Sequence, residues 1–129
     1  MCNESDENSE HVLKTCSKVR GIWQYINNVW NRRFTPMDMS WNNMSKGYDE
    51  DCELLINYVL NIVIVESKWQ IWKFRNKVKY DQFCAENICK DALQCIKYSL
   101  NNIARSLEYT KQDTRKDVGK LMYELSQLW

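Results

Sequence analysis

The sequence predicts an all-α protein, a small helical bundle of about four helices. The 129 residues include only three glycines and one proline, whereas sheet-rich folds need turn residues every ~8–12 positions. Apolar residues also recur every three or four positions over long stretches, which is the period of an amphipathic helix. The length allows one domain with one modest hydrophobic core.

The predicted helices cover about residues 12–33, 51–79, 81–109 and 113–129. The apolar positions of the first are Val12, Cys16, Val19, Trp23, Ile26 and Trp30. The second begins after an acidic stretch, which is favourable at a helix N-terminus. It contains the run LLINYVLNIVIV. This run is apolar nearly all round, which is typical of the central helix of a bundle.

The third predicted helix carries a strict seam of apolar residues in steps of three and four. These residues are Leu93, Ile96, Leu100, Ile103 and Leu107. Such an a/d seam is more often internal core than a dimer interface, but its exposed continuation would permit helix-mediated self-association. The fourth helix is shorter and uses Val118, Leu121, Met122, Leu125 and Leu128.

Residues 34–50 form the one long predicted connection, because they lack a period and contain Pro36 and Gly47. Large apolar side chains interrupt this segment, namely Met37, Met39, Trp41 and Met44. A mobile loop would contain fewer such groups, so the segment is predicted to lie on the core.

The cysteines and the charges indicate an intracellular protein of the cytoplasm or nucleus. The first ten residues are acidic and contain no basic residue, so no signal peptide is expected and the six cysteines are interpreted as reduced thiols. No membrane association is expected, because the longest apolar run is far below ~20 residues. The net charge is +1, so any attraction to nucleic acid must come from a local basic patch.

Cys2, His11 and Cys16 have the spacing C-x8-H-x4-C and could supply three of the four ligands of a structural zinc site. His11 and Cys16 straddle the start of the first helix, so both side chains can face Cys2. Two simpler interpretations stay open. Cys16 falls on the apolar stripe of the helix as a core thiol, and His11 caps the helix.

The stretch CNESDENSEHVLKTCSKVRGIW resembles the C-terminal zinc-binding knuckle of non-LTR (LINE-type) retrotransposon reverse transcriptases. Cys2, the acidic linker, His11, Cys16 and Trp23 match its pattern. The chain departs from it by lacking the first cysteine of the C-x2-C pair and by Ser17, where the family often has proline. The segment KWQIWKFRNKVKY is similar to one that follows the knuckle in these polyproteins.

The resemblance implies a partial CCHC-type zinc knuckle at residues 1–16 and a helical domain at residues 12–129. Zinc is the implied cofactor, in a site that lacks one ligand. The implied function is that of a non-catalytic C-terminal fragment of the reverse transcriptase, contributing RNA or DNA binding. The fragment is not expected to be an enzyme, because YDED at 48–51 lacks the family's adjacent aspartates.

Residues 68–80 combine basic and aromatic side chains without any acid. Cations bind phosphates and aromatic rings stack on unpaired bases, so this segment is the predicted nucleic-acid site. Its residues are Lys68, Trp69, Trp72, Lys73, Arg75, Lys77 and Lys79. In the competing interpretation the tryptophans are core and the lysines surround them, and the protein is a helical protein–protein interaction module.

Overall fold

The computed structural model describes residues 8, 10–34, 36, 40–47, 54–80, 88–108 and 113–129. These residues contain helices and no strand, so the all-α prediction is confirmed. Four helices are long: α1 (Ser17–Arg33), α3 (Leu54–Tyr80), α4 (Ile88–Glu108) and α5 (Asp113–Gln127). Two are short, a π-helix at His11–Thr15 and α2 at Trp41–Lys46.

The first predicted helix is divided at Cys16. The Cys16 backbone is extended (φ −56°, ψ 135°), and its N–H donates to the His11 carbonyl over 2.8 Å, closing the π-helix. The Cys16 carbonyl then accepts from Val19 N–H at 2.9 Å, which begins α1. The indole of Trp23 donates to the Leu13 carbonyl over 2.7 Å. The π-helix and α1 are therefore fixed against each other by side-chain and backbone hydrogen bonds.

The connection between the first two long helices contains α2, which the aperiodic sequence did not indicate. Ser40 caps this helix by accepting from the Asn43 N–H at 3.4 Å, and Gly47 ends it at φ +90°, a conformation that favours glycine. Met44 is buried and Trp41 is partly buried against the core. The expectation that this segment lies on the core holds for these two residues; Met37 and Met39 fall outside the described residues.

Helix α4 packs against the three other long helices, α1, α3 and α5. Four of its residues are almost fully buried, namely Ala92, Ile96, Leu100 and Ala104. Leu93, Ile103 and Leu107 are partly buried and pack on the same core. The apolar seam predicted for this helix is thus internal packing over the described range.

The end of α5 is tied to α1 and α4. The Tyr25 hydroxyl donates to the Trp129 carbonyl over 2.7 Å, and the Trp129 indole donates to the Leu93 carbonyl over 2.8 Å. Arg33 and Glu124 form an exposed ion pair at 3.0 Å. No helix in the described ranges combines the length and the apolar character that crossing a membrane requires.

Candidate functional site

Helix α3 has an apolar side that faces the core and a second apolar side that faces solvent. The outer side carries Tyr58, Ile62, Val65, Trp69 and Trp72, in steps of four, three, four and three. We call these five residues the outer stripe. The exposed fractions are 39 % for Tyr58, 61 % for Val65, 50 % for Trp69 and 45 % for Trp72, and Ile62 is partly buried.

The outer stripe shows that α3 is not buried on every side, although its sequence is apolar nearly all round. Its inner side is buried through residues such as Val59, Val63 and Ile71. Helix α3 packs against α4, α5 and the π-helix. The outer stripe is the side of α3 that these elements leave in contact with water.

Trp69 and Trp72 lie on the surface as a stacked pair. Their ring centroids are 5.2 Å apart and their planes differ by 16°, a contact that the i, i+3 spacing allows on one helix. The Lys73 ammonium lies 5.7 Å from the centroid of the Trp69 ring, within the range of a cation–π interaction. The interpretation that places these two tryptophans in the core is wrong.

The basic residues of the segment fall into two groups. Lys73 and Lys77 are exposed, and the Lys77 ammonium lies 5.0 Å from the Phe74 ring centroid. Lys68 is partly buried and donates to the Met44 carbonyl over 2.9 Å, and burial lowers the pKa of its ammonium. Lys68 therefore joins α3 to α2, whereas Lys73 and Lys77 present their charge to solvent.

The remaining two residues of the predicted nucleic-acid site are Arg75 and Lys79. Arg75 is partly buried, and its guanidinium donates to the Asn76 side-chain oxygen over 3.4 Å. Lys79 lies on the α3 backbone, but its side chain is outside the described residues. The structure thus brings Trp69, Trp72 and Lys73 together on one side of the helix, with Lys77 one turn beyond.

A groove of about 380 Å³ lies beside the N-terminal half of the outer stripe. Its lining residues are Tyr58, Asn61, Ile62, Val65 and Glu66 from α3 and Ile103 from α4. Sequence reasoning missed this groove. One signal was available: Tyr58, Ile62 and Val65 have the same spacing of three and four residues as the two tryptophans. This spacing is hard to recognise because the surrounding run is apolar on every side of the helix.

The predicted zinc ligands are only partly described. His11 and Cys16 are buried, with exposed fractions of 8 % and 1 %. His11 is the first residue of the π-helix, and Cys16 directly follows its last residue. Cys2 lies outside the described residues. Within the described ranges no group of three or more His, Cys, Asp or Glu side chains is arranged to hold a metal ion. Cys16 belongs to the hydrophobic core, as the simpler interpretation expected.

Comparison of the chain with protein-family models, with curated proteins and with solved structures finds no match. The resemblance to retrotransposon reverse transcriptases therefore stays a prediction from the sequence. The geometry of α3 is the observation from which a function can be argued.

Proposed function

We propose that the protein is a helical interaction module that binds another protein through the outer stripe of α3. The supporting observation is that four large apolar side chains of the stripe are exposed along one side of a single helix, with Ile62 partly buried between them. Globular proteins seldom expose a continuous apolar patch of more than a few hundred Å², and such patches commonly mark binding sites.

The spacing of the stripe fits a helical partner. Steps of four and three place apolar residues in the a and d positions that pack into a facing helix. From Tyr58 to Trp72 the stripe is about 21 Å long. Full burial of a large apolar side chain is worth about 1.5–3 kcal/mol, and the exposed fractions leave a substantial part of that energy available for binding.

Photocrosslinking in cells tests this proposal. The photoreactive residue benzoylphenylalanine is placed at Val65, in the middle of the stripe, or at Tyr98 of α4, which is equally exposed (59 %). We expect protein adducts from position 65, absent from position 98, and lost when Trp69 and Trp72 are both changed to alanine. Equal yields at the two positions, or no protein adduct at position 65, would contradict the proposal.

A second candidate function is the binding of single-stranded RNA or DNA. The observation in its favour is the exposed Trp69–Trp72 pair with Lys73 beside it and Lys77 in solvent. An indole face can stack on an unpaired base, at ~1–3 kcal/mol per base, while lysines neutralise phosphates. The absence of acids from residues 68–80 of the sequence suits this chemistry.

Fluorescence anisotropy with a labelled single-stranded RNA of mixed sequence distinguishes the two functions. If RNA binds here, changing Lys73, Arg75, Lys77 and Lys79 together to glutamine flattens the salt dependence of binding, because fewer counterions are released. Trp72→Ala weakens binding without changing that dependence, because stacking releases no ions. Variants that bind RNA as the parent does would remove this candidate.

From the sequence alone, we also propose that the chain originates in a retrotransposon. In that case it would be a non-catalytic tail with an incomplete zinc knuckle. The support for this origin is the order and separation of the two matching segments along the chain. The coding sequence upstream of Met1 tests it. An in-frame polymerase with a cysteine three positions before Cys2 would support this origin, and unrelated sequence would contradict it.

A further inference from the structure

We propose that the partner on the outer stripe is a second copy of this chain, docked antiparallel about a two-fold axis at Val65. This inference rests on the proposed function, that the stripe is a protein interface. It names the occupant of that interface from three properties of α3: the symmetry of the stripe, the position of the groove and the distribution of charge.

The stripe is nearly symmetric about Val65. Tyr58 lies seven residues before Val65 and Trp72 lies seven residues after it, while Ile62 and Trp69 lie three before and four after. When two such helices run antiparallel, Val65 meets its own equivalent at the centre. Each Tyr58 then faces Trp72 of the partner subunit, and each Ile62 faces Trp69 of the partner subunit. The smallest side chain therefore lies at the axis, where two helices approach most closely.

The two halves of the stripe differ in shape. The C-terminal half projects the stacked indoles of Trp69 and Trp72, and the N-terminal half borders the groove beside Tyr58, Ile62 and Ile103. The antiparallel arrangement brings the indoles of each copy to the groove of the other, so the same contact forms twice. Such an isologous interface closes at two subunits and leaves no free site to extend.

Charge favours the antiparallel direction over the parallel one. The C-terminal end of α3 carries the exposed Lys73 and Lys77. Antiparallel pairing places the basic end of one helix beside the N-terminal half of the other, so the basic ends of the two copies lie apart. Parallel pairing would bring like charges together, which is unfavourable, and would align the two helix dipoles.

Sedimentation equilibrium over a wide range of protein concentration tests the inference. We expect the parent chain to dimerise and Val65→Arg to raise the dimer dissociation constant roughly tenfold or more, since two like charges would be buried at the axis. The matched control Tyr98→Arg places the same charge on an equally exposed site of α4 and leaves the constant unchanged. Circular dichroism of both variants verifies that they are folded.

The direction is read from benzoylphenylalanine in place of Lys73. We expect adducts within residues 54–60 of the partner subunit, and adducts around position 73 of the partner subunit would overturn the antiparallel arrangement. A parent chain that is monomeric throughout, or a dimer that survives Val65→Arg, overturns the inference. If the chain does not dimerise but position 65 crosslinks a different protein in cells, the proposed function stands and only the dimer is ruled out. If position 65 gives no protein adduct either, the proposed function and the dimer are both ruled out.

Discussion

The tryptophan side chains differ in burial: some belong to the core and others lie at the surface. Trp30 is buried to 1 % exposure in the core, and Trp23 is buried with its indole hydrogen-bonded to the Leu13 carbonyl. Trp69 and Trp72 stack on each other at the surface, half-exposed. Because stability depends on burial, substitution separates the tryptophans that hold the fold from those available for binding.

We expect Trp72→Ala to lower the free energy of unfolding by about 1–2 kcal/mol, less than for a core tryptophan, because almost half of its surface is already exposed. Trp30→Ala should cost about 3–5 kcal/mol through the cavity it leaves. Thermal melting followed by circular dichroism measures both at low protein concentration, where self-association does not contribute. An equal loss of stability in the two variants would show that Trp72 is part of the core.

The buried positions of His11 and Cys16 bear on zinc. We expect the chain to bind zinc weakly or not at all, because three ligands leave a coordination position to water and two of the three, His11 and Cys16, are packed in the protein interior. Elemental analysis of the purified protein after dialysis against a chelator measures this. Zinc retained in a one-to-one ratio would contradict the expectation, and Cys16→Ser would then identify the site by releasing it.

For single helices, the distance to the neighbouring helix determines whether a position can hold a side chain larger than that of glycine. Gly119 lies on α5 where a Cβ would stand 3.0 Å from the Leu107 Cβ and 3.3 Å from the Ala104 carbonyl oxygen of α4. Gly21 lies on α1, where a Cβ would meet only the Cys89 sulfur at 3.4 Å. Glycine is thus required by close packing at position 119, whereas position 21 has room for a methyl group.

Alanine at these two positions should have opposite effects. Gly21→Ala should stabilise the protein by up to about 1 kcal/mol, because alanine favours a helix over glycine. Gly119→Ala should destabilise it by about 1–3 kcal/mol despite the same gain, because α4 and α5 must separate. Urea denaturation of the two variants measures the difference. Stabilisation by Gly119→Ala would mean that the two helices are not in close contact.

At the scale of the whole molecule, Trp129 closes the bundle by joining elements distant in sequence. Its carbonyl accepts from Tyr25 and its indole donates to the Leu93 carbonyl, and its ring meets that of Tyr25 edge-on, with centroids 5.6 Å apart. These contacts connect the end of α5 with both α1 and α4. They restrict how the helices can move relative to one another.

Trp129→Ala should therefore lower the free energy of unfolding by about 2–3 kcal/mol, since it removes a partly buried ring and one hydrogen bond. Tyr123→Ala on the exposed side of α5 (49 % exposed) is the matched control and should change stability by less than about 1 kcal/mol. Denaturant titration measures both. Equal effects would show that the terminal contacts do not contribute to stability.

Several features of the protein can be predicted from its sequence. The period of three and four residues predicted the helical class and the seam of α4, because in amphipathic helices the polar side identifies the apolar side by contrast. The aromatic and basic segment at residues 68–80 was likewise visible as composition. A metal site involving Cys2 remains a prediction, since that residue lies outside the described part of the chain.

The side of α3 that faces water could not be predicted from the sequence. The run LLINYVLNIVIV is apolar all round, so it lacks the contrast that would identify an outer side, and the choice depends on which helices pack against it. Helix α3 packs against α4, α5 and the π-helix, and this packing leaves Tyr58, Val65, Trp69 and Trp72 exposed on a single side. The division of the first helix at Cys16 is also tertiary, since burial of His11, Cys16 and Trp23 accompanies a backbone conformation that periodicity does not report.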